Sequence, residues 1–456
     1  MSNKEETTLV ELVKERKFLK LNQKLSLMNE VDIASFLEKL SNDEAVIVFR
    51  MLKKDIASEV FAEIDSETQH AIVNTISDKE LTNIVNELAV DDAVDMLEEM
   101  PAMVVQRVLK VADPQMRKTI NQFMKYPDES AGSIMTPEFI GLHENMTIEQ
   151  ALQHIRKNGK DKETIYTCYV MDSYRVLQGF VSVKTLLLSD DSTKISEVED
   201  KNIISVTTET DQEEAANILK KYDFIALPVV DKENRLVGII TVDDAMDVLE
   251  AETTEDIETM GALSHAERPY LKTSVFELSK HRIGWLMILM LTDMLSGGIL
   301  SRWESAFQAM PILISFIPML TDTGGNAGGQ SSTIIIRSLA MGELDLKNIW
   351  EVIWKEIRVA LLCGSILSFF NFIKIIIVYG GRVMVALTVA VAMLCTILMA
   401  KIIGGVLPLI ASKLKMDPAV MASPLITTIA DVGSLLIYLN TCLLYTSDAA
   451  DDIALV

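Results

Sequence analysis

Cysteine and histidine are scarce in this chain, which has four cysteines and five histidines among 456 residues. The cysteines show neither CxxC spacing nor a histidine partner, which excludes the common zinc sites, thiol chemistry and a disulfide framework. The histidines form no cluster suited to metal binding or acid–base chemistry, and no phosphate-binding loop is present. We therefore expect a protein that is not an enzyme. The residues are Cys168, Cys363, Cys395, Cys442, His70, His143, His154, His265 and His281.

Basic residues are also few, since 42 lysines and arginines stand against 65 aspartates and glutamates. The imbalance is nearly all in residues 1–282, which hold 53 acidic and 32 basic residues, whereas residues 283–456 hold 12 and 10. An acidic surface repels nucleic acid and anionic lipid headgroups. We expect no nucleic-acid partner for this part of the chain, and cations or basic surfaces as its natural partners.

Long apolar runs begin at residue 283. Five of them are near the ~20 residues that a bilayer requires, which predicts an α-helical polytopic membrane domain with five spans in contact with lipid. Lys280 and Arg282 precede the first run, whereas the opposite loops offer only Arg302 and Arg382. No signal peptide precedes the charged start, so the positive-inside rule places the large N-terminal part in the cytoplasm and the C-terminus outside. The runs are 283–300, 310–336, 359–378, 384–410 and 419–444.

One aspartate, Asp431, lies in the otherwise apolar fifth run. An ionisable side chain at membrane depth is costly unless it faces a polar cavity or a cation, so Asp431 indicates an ion path. Thr427 is four residues earlier on the same helix face, so a hydroxyl and a carboxylate can point at one axis. Asp293 in the first run is a further candidate of this kind. A protonated Asp431 that hydrogen-bonds a neighbouring helix is the alternative.

The second apolar run contains a polar, glycine-rich stretch, residues 321–332, which includes Asp322 and Asn326. We expect irregular backbone here, because such a stretch is tolerated in a membrane only where it is buried in protein or lines water. Tight helix packing through the glycines is the alternative. Together with Asp431, the asparagine and glutamine of this stretch favour a pore.

Residues 30–125 place an acidic residue about every 12 positions, and apolar residues at helical spacing follow each one. Each acidic residue suits a helix N-terminus, where it caps free N–H groups or interacts favourably with the helix dipole. We predict an all-α superhelical N-domain of stacked short helices that is stable only through neighbour packing. The helix starts are Asp32, Asp43, Asp55, Glu67, Asp78, Asp91 and Asp113.

A longer repeat covers about residues 134–250. The segment 146–151 corresponds to 210–215, and 179–183 corresponds to 238–242. Each copy predicts the order helix, strand, turn, strand, helix. The pattern resembles a tandem pair of CBS domains, an α/β regulatory module that often binds adenine nucleotides such as ATP in the cleft between its repeats.

A densely acidic helical stretch, residues 241–258, leads from this repeat toward the first apolar run. Two carboxylates about 4 Å apart repel by roughly 1 to 4 kcal/mol, so facing acidic surfaces resist closure unless divalent ions intervene. Oxygen-rich carboxylate sites suit magnesium or calcium. A solvated helix face is the alternative. The carboxylates are Asp243, Asp244, Asp247, Glu250, Glu255, Asp256 and Glu258.

These elements, in this order, resemble the MgtE family of magnesium channels over about residues 30–440. The signatures are the helical array ending near Tyr126, Met-Thr-Pro at 135–137, Thr-Gly-Gly-Asn at 323–326, and Ser423-Pro with Asp431. The resemblance implies a homodimer with a central pore between the subunits and a plug helix beneath it. The implied segments are a regulatory N-domain (1–130), tandem CBS domains (131–250), a plug helix (251–281) and a pore domain (282–445).

Residues 446–456 are atypical for the fifth span. They resemble translated adapter sequence, and we assign them no function.

The resemblance also implies two sets of Mg²⁺ ligands. In the pore, Asp431 would face its counterpart in the second subunit, and Thr427, Ser423 and Asn326 would line the same site. The family commonly has alanine and asparagine where this chain has Thr427 and Ser423. In the cytoplasm, Asp91 and Asp95 would face Asp244 and Asp247, and Ser133 stands where the family offers a glycine carbonyl. The implied regulatory set is Asp91, Asp95, Ser133, Glu213, Asp223, Asp244, Asp247, Glu255, Asp256 and Asp417.

Feedback gating is the mechanism that these features predict. When cytosolic Mg²⁺ is plentiful, ions bridge the acidic faces and the plug helix closes the pore; when it falls, carboxylate repulsion separates them. A channel for Co²⁺, Mn²⁺ or Ca²⁺ is one alternative, because ligand type alone does not separate these ions. A CBS-regulated solute transporter is another, although it predicts basic or aromatic residues near the intramembrane glycines, which are almost missing before Arg337.

Overall fold

The structure, a computed structural model, describes residues 3–98, 100–263, 270, 273–302 and 311–453. The chain divides into two compact units, Met1–Glu250 and Ala251–Val456. The first unit contains an array of short helices followed by two small sheets with their helices. The described part of the second unit is helical.

Short helices of 8 to 12 residues fill the described residues up to 123. Helices α3 and α5 pack together, as do α4 and α6, α5 and α7, α7 and α9, and α8 and α10. Because each helix packs on the next but one, the array winds as a superhelix, and the predicted all-α N-domain is confirmed. The helices are α1 Asn3–Lys14, α2 Phe18–Leu25, α3 Glu30–Leu37, α4 Asn42–Phe49, α5 Lys54–Glu63, α6 Ser66–Thr75, α7 Asp78–Val85, α8 Val90–Glu98, α9 Ala102–Val111 and α10 Pro114–Phe123.

Polar caps define where these helices begin. Ser41 and Ser77 each form a capping box with the glutamate three residues later. Asp65 accepts a hydrogen bond from the Thr68 amide at 2.8 Å. Such caps satisfy amide groups that the first helical turn leaves unpaired. The acidic repeat in the sequence therefore marks helix starts; its members Asp32, Asp43, Glu67, Asp78 and Asp91 lie in first turns.

Two sheets of the same topology follow the helical array. In each, the first strand pairs in parallel with the second, and the second pairs antiparallel with the third. Both second strands carry a register shift at the same position, between Val170 and Met171 and between Val229 and Val230. The CBS pair predicted from the internal repeat is confirmed. Its strands are β1 Ile140–His143, β2 Thr167–Met171, β3 Leu177–Ser182, β4 Val206–Thr207, β5 Ala226–Val230 and β6 Leu236–Thr241.

Helices flank these strands in the predicted order. The helix that follows β6 is long and continues past residue 250. The helices are α11 Ile148–Asn158, α12 Val183–Leu188, α13 Ile195–Val198, α14 Gln212–Lys221 and α15 Val242–Met260.

The second unit is built around one long helix, α19, which packs against three others, α17, α18 and α20. The core is apolar and includes Ala392, Ile397 and Leu435. Helix α16 packs along α20 and buries none of its own residues. The helices are α16 Val275–Arg302, α17 Ile317–Ala340, α18 Ile349–Val378, α19 Val383–Lys413 and α20 Ser423–Ile453.

Four of these helices are long and apolar enough to cross a membrane: α16, α18, α19 and α20. Helix α17 has 24 residues, which is long enough, but its polar glycine-rich stretch lowers its hydropathy. The membrane character of this unit is confirmed, whereas the second of the five predicted spans, at α17, stays a prediction.

The irregular backbone expected at residues 321–332 is wrong, because α17 is continuous from Ile317 to Ala340. Its glycines lie at helix contacts. A Cβ atom on Gly404 of α19 would overlap the carbonyl oxygen of Gly328, and a Cβ on Gly324 would lie 2.7 Å from the Ser434 hydroxyl. The glycines therefore allow close helix approach, and the helix satisfies its own backbone groups without water.

Candidate metal sites

Helix α17 carries a row of exposed polar residues along one face. The members recur every three or four positions, which is the spacing of one helix face. The other face is buried and contains small residues such as Gly325, Ala327 and Ser331. A polar face of this length, in a unit otherwise made of apolar helices, is suited to line water or ions. We call it the α17 polar face; it consists of Asp322, Asn326, Gln330, Thr333 and Arg337.

Helix α20 brings Thr427 and Asp431 beside this face. A Cβ atom on Gly325 would lie 2.8 Å from Cγ2 of Thr427, so Thr427 lies against α17 at Gly325. Asp431 follows one helical turn later and is half-buried. Asp293 of α16 and Asp322 of α17 are the carboxylates that act on Asp431 electrostatically. Three helices thus place carboxylates near one another.

Of the four predicted pore residues, Asn326, Thr427 and Asp431 are on neighbouring helices. The side chain of Ser423 lies outside the described residues, although its backbone begins α20.

An acidic cluster forms in the first unit around the start of α8. Asp91 is buried at 8 % exposure, and one of its carboxylate oxygens has no hydrogen-bond partner among the described residues. Asp92, Asp244 and Glu163 are the charges that act on it most strongly. Asp244 is held at the start of α15 by hydrogen bonds from the amide and hydroxyl of Thr241. The structure thus brings Asp91 and Asp244 into one cluster, and their role as ligands stays a prediction.

The cluster perturbs the protonation of its members. Burial, followed by the charges of Asp92 and Asp244, raises the pKa of Asp91 to about 8. Burial and the charge of Asp244 raise the pKa of Glu163 to about 7 and that of Asp92 to about 6. Each shift has the direction expected when ionised carboxylates are desolvated beside like charges. The cluster therefore favours the binding of protons or cations.

Sequence reasoning missed several members of this cluster. Asp92 is the neighbour of a predicted residue, but Glu63, Glu138 and Glu163 come from three different segments of the chain. Glu63 ends α5, and its pKa is raised by burial and by the charges of Asp247 and Asp243. Only Asp92, beside the predicted Asp91, had a signal in the sequence. The others lack one, because the fold alone brings distant segments together.

The remaining predicted ligands of this unit have other environments. Asp95 is exposed one turn after Asp91. The Ser133 hydroxyl donates to the Ser130 carbonyl at 2.8 Å, which closes a turn. Glu213 lies in the first turn of α14, and Asp223 follows the end of that helix beside a cavity of about 620 Å³. Neither of these two is among the charges that act most strongly on Asp91.

Asp247 lies one turn beyond Asp243 on α15. Burial and the charges of Glu250 and Asp243 raise its pKa. Within the described part of the chain, no three Asp, Glu, His or Cys side chains are already arranged around one ion position. The carboxylates are thus near one another without forming a finished coordination shell.

A second acidic contact lies in the other unit, at the end of α15. Burial and then the charge of Asp417 raise the pKa of Asp256 to about 6, and Glu255 contributes a smaller effect. Asp417 caps a short 3₁₀ helix, Pro418–Met421, by accepting the Ala419 amide at 2.7 Å. Three predicted regulatory residues therefore meet immediately before α20.

Apolar packing holds the end of α15 at this place. Met260, its last residue, packs against Ile336 of α17 and against Ala419 and Ala422 beside the start of α20. A shift of the α15 end would therefore act directly on both helices of the candidate ion path.

Taken together, an acidic helical array, a CBS pair and a unit of long apolar helices that carries carboxylates on three of them define a divalent cation transporter. Family profiles agree: "Divalent cation transporter" matches residues 317–441, "MgtE intracellular N domain" matches 28–129, and "CBS domain" matches 131–190 and 195–251. The magnesium transporter MgtE of Thermus thermophilus is 37 % identical over 444 residues, which is 96 % of this chain and 98 % of that protein. The chain belongs to the MgtE family of magnesium transporters.

Further relatives support this assignment. The magnesium transporter MgtE of Bacillus subtilis is 30 % identical, covering 94 % of this chain and 95 % of its own length. A crystal structure of the cytosolic domain of the Mg²⁺ channel MgtE in complex with ATP matches with 36 % identity and a TM-score of 0.51. That match covers 53 % of this chain and 99 % of the other. The predicted family is confirmed, and it is a family of transporters rather than enzymes.

Proposed function

We propose that this chain forms a homodimeric channel that imports Mg²⁺ across the cytoplasmic membrane and closes when cytosolic Mg²⁺ is high. The juxtaposition of Asp431 and Thr427 with the α17 polar face carries the proposal. Two copies of Asp431, one from each subunit, would hold a hydrated Mg²⁺, because this ion gives up its water reluctantly. Asn326, Thr427 and Ser423 would then contact the waters rather than the bare ion.

The orientation follows from the basic residues. Lys355 and Arg358 in the first turns of α18, and Lys413 and Lys415 at and after the end of α19, are predicted on the same side of the spans as Lys280. The positive-inside rule places this side in the cytoplasm together with the N-domain and the CBS pair, and it places the C-terminus outside. The electrical potential then drives Mg²⁺ inward past Asp431.

Regulation rests on the two acidic contacts. Mg²⁺ between the carboxylates around Asp91 and Asp244, and between Asp256 and Asp417, would relieve the repulsion that, after burial, raises the pKa values of Asp91, Asp244 and Asp256. The ion shifts the channel toward the closed state only to the extent that these sites are better formed in that state. Asp95, Ser133, Asp247 and the other implied ligands would complete the sites in the closed dimer.

ATP is the second ligand that we propose, in the cleft of the CBS pair. A relative's cytosolic domain was solved with ATP, and its sequence is 36 % identical to this chain. A thermal shift of the 1–250 fragment on addition of ATP, measured against GTP, tests this point. An equal lack of shift with both nucleotides would argue against the site.

Flux in reconstituted membranes tests the pore. Full-length protein in liposomes is compared with Asp431→Asn for Mg²⁺, Mn²⁺ and Ca²⁺ entry. We expect the substitution to reduce Mg²⁺ flux at least about tenfold, which corresponds to about 1.4 kcal/mol. Asp345→Asn is the matched control, because it removes an exposed carboxylate from the loop before α18 and asparagine still caps a helix.

Two results would change the proposal. Intact Mg²⁺ flux in Asp431→Asn would remove Asp431 from the ion path. Equal flux of the three ions in the parent protein would favour the broader divalent cation channel.

A further inference from the structure

A lysine is buried in the membrane part, and no carboxylate among the described residues is in direct contact with it. Lys401 of α19 is only 6 % exposed, and its ammonium group donates a hydrogen bond to the Ser331 hydroxyl of α17 at 3.2 Å. That hydroxyl in turn donates to the Glu356 carboxylate of α18 at 2.6 Å. Opposite charges on two helices are therefore joined through a hydroxyl on a third.

Ser331 lies where the buried face of α17 meets its exposed polar face. Ser331 is buried at 1 % exposure, whereas its neighbour Gln330 belongs to the exposed α17 polar face. Consecutive residues point about 100° apart around a helix. A rotation of α17 by one residue would therefore exchange a buried serine for a glutamine and change the direction in which Asn326 points.

Packing near the serine is close, and the adjacent Ser332 hydroxyl donates a neutral hydrogen bond to the Met421 carbonyl at 2.8 Å, which supports the same rotation of α17. One turn before Ser331, Gly328 lies against Gly404 of α19, where both contact surfaces are bare backbone. Apolar helices in lipid lack a hydrophobic force that selects one face over another. A buried charge that is satisfied in only one rotation supplies that selection, because leaving it unpaired is costly.

We propose that Lys401, Ser331 and Glu356 form a clamp that fixes the rotation of α17 and so aims Asn326 and Gln330 toward the ion path. They are positioning residues for cation selectivity, and none of them contacts the ion. The clamp rests on the pore proposed for Asp431 and the α17 polar face.

Reactivity of introduced thiols tests the rotation without any use of flux. In full-length protein whose four native cysteines are replaced by alanine, Gln330→Cys and Ala327→Cys are labelled separately with a water-soluble maleimide. We expect the thiol at 330 to react at least about tenfold faster than that at 327, since one position is exposed and the other buried. Adding Ser331→Ala should bring the two rates to within about threefold, because α17 loses its preferred rotation.

Ion selectivity is the second readout. Ser331→Ala and Lys401→Met are compared with Thr388→Val in liposomes. Thr388 is a matched control because its hydroxyl is buried on α19 but bonds only its own helix, to the Met384 carbonyl at 2.9 Å. We expect the ratio of Mg²⁺ to Ca²⁺ flux to fall about fivefold or more in both clamp variants and to stay unchanged in Thr388→Val.

The double variant Lys401→Met/Glu356→Gln is needed because Lys401→Met alone leaves the Glu356 charge without its partner, and an unpaired charge can prevent folding. It leaves no unpaired charge, so it should fold while the 330 and 327 thiols still react at similar rates. Parent-like labelling and parent-like selectivity in Ser331→Ala and in the double variant would overturn the clamp. If Asp431→Asn carried the same Mg²⁺ flux as the parent, the proposed pore would be overturned instead. The ratio of the two labelling rates would still test the clamp.

Discussion

Asp91 lies in an environment in which burial and neighbouring carboxylates favour a bound proton or cation. It is almost fully buried, one oxygen lacks a partner among the described residues, and its nearest charges are all negative. Such a carboxylate is unstable when ionised unless a cation replaces the lost water. We therefore expect the ionisation of Asp91 to depend on both pH and the concentration of divalent ions.

The stability of the 1–250 fragment should fall as pH rises from about 5 to about 8 when divalent ions are removed. The folded-state pKa of Asp91, about 8, is above its usual 3.8, so the folded state binds more protons in this interval and loses stability as they leave. Asp92 and Glu163, with pKa values of about 6 and about 7, act in the same direction. Chemical denaturation at several pH values, with chelator present, measures the slope.

Asp91→Asn should remove part of that slope. The variant should be more stable than the parent at pH 8 without divalent ions, on the order of 1 to 3 kcal/mol, because the buried charge is gone. Mg²⁺ should stabilise the parent at this pH and the variant less, since binding to the folded state adds stability. Asp190→Asn, at an exposed loop position, is the control. Identical slopes for parent and Asp91→Asn would contradict the assignment.

Individual residues of the acidic cluster differ in how far the sequence predicts them. Asp91 and Asp244 follow from the acidic pattern and the family resemblance. Glu63 and Glu163 do not, because their membership depends on how α5 and the segment before β2 pack near α15. Short-range pattern reveals which residues begin helices, but a cluster formed across segments depends on tertiary structure.

Helix α17 is the element for which propensity misleads most. Its glycines, asparagine and threonines are weak helix formers, so the sequence suggests irregular backbone. The structure has a continuous helix because each glycine lets a neighbouring helix approach, and in a low-dielectric environment a broken helix would leave backbone groups unpaired. The glycines pack against neighbouring helices, whereas the lining of a pore by the polar residues of α17 stays a prediction.

Gly404→Ala should disrupt the contact between α17 and α19. The added methyl group would overlap the Gly328 carbonyl, which is backbone and cannot move aside, so we expect destabilisation of about 1 to 3 kcal/mol or more. Thermal unfolding of the full-length protein in detergent, together with its elution profile, measures the loss.

Gly284→Ala is the matched control for this change. A Cβ on Gly284 of α16 would have no atom within 4 Å, so the variant should be neutral or more stable by up to about 1 kcal/mol through helix propensity. Equal melting temperatures for both alanine variants would mean that the Gly328–Gly404 contact does not limit stability.

At the scale of the whole molecule, the fold class was predictable because each part has its own periodicity. The 12-residue acidic repeat, the longer CBS repeat and the apolar runs do not overlap, and each corresponds to a distinct part of the structure. The detailed metal sites were less predictable, because they join side chains from several parts. In the function that we propose, ion binding far from Asp431 changes the flux past it.

Neutralising Asp91 and Asp247 together should weaken the inhibition of flux by cytosolic Mg²⁺. Both carboxylates belong to the acidic surroundings of α15. Met260, the last residue of that helix, packs against Ile336 near the end of α17 and against Ala419 and Ala422 just before α20. Without those charges, Mg²⁺ loses part of its preference for the closed state, so a higher concentration is needed to close the channel. We expect the half-inhibitory Mg²⁺ concentration to rise about tenfold, equivalent to about 1.4 kcal/mol of lost coupling. Patch recordings with Mg²⁺ titrated on the cytosolic face measure this concentration.

The control variant Asp190→Asn/Asp191→Asn removes the same charge from an exposed loop. We expect Mg²⁺ to inhibit its flux at the same concentration as in the parent. An unchanged half-inhibitory concentration in Asp91→Asn/Asp247→Asn would show that gating does not depend on this cluster, whereas loss of flux altogether with normal folding would place these residues in conduction rather than regulation.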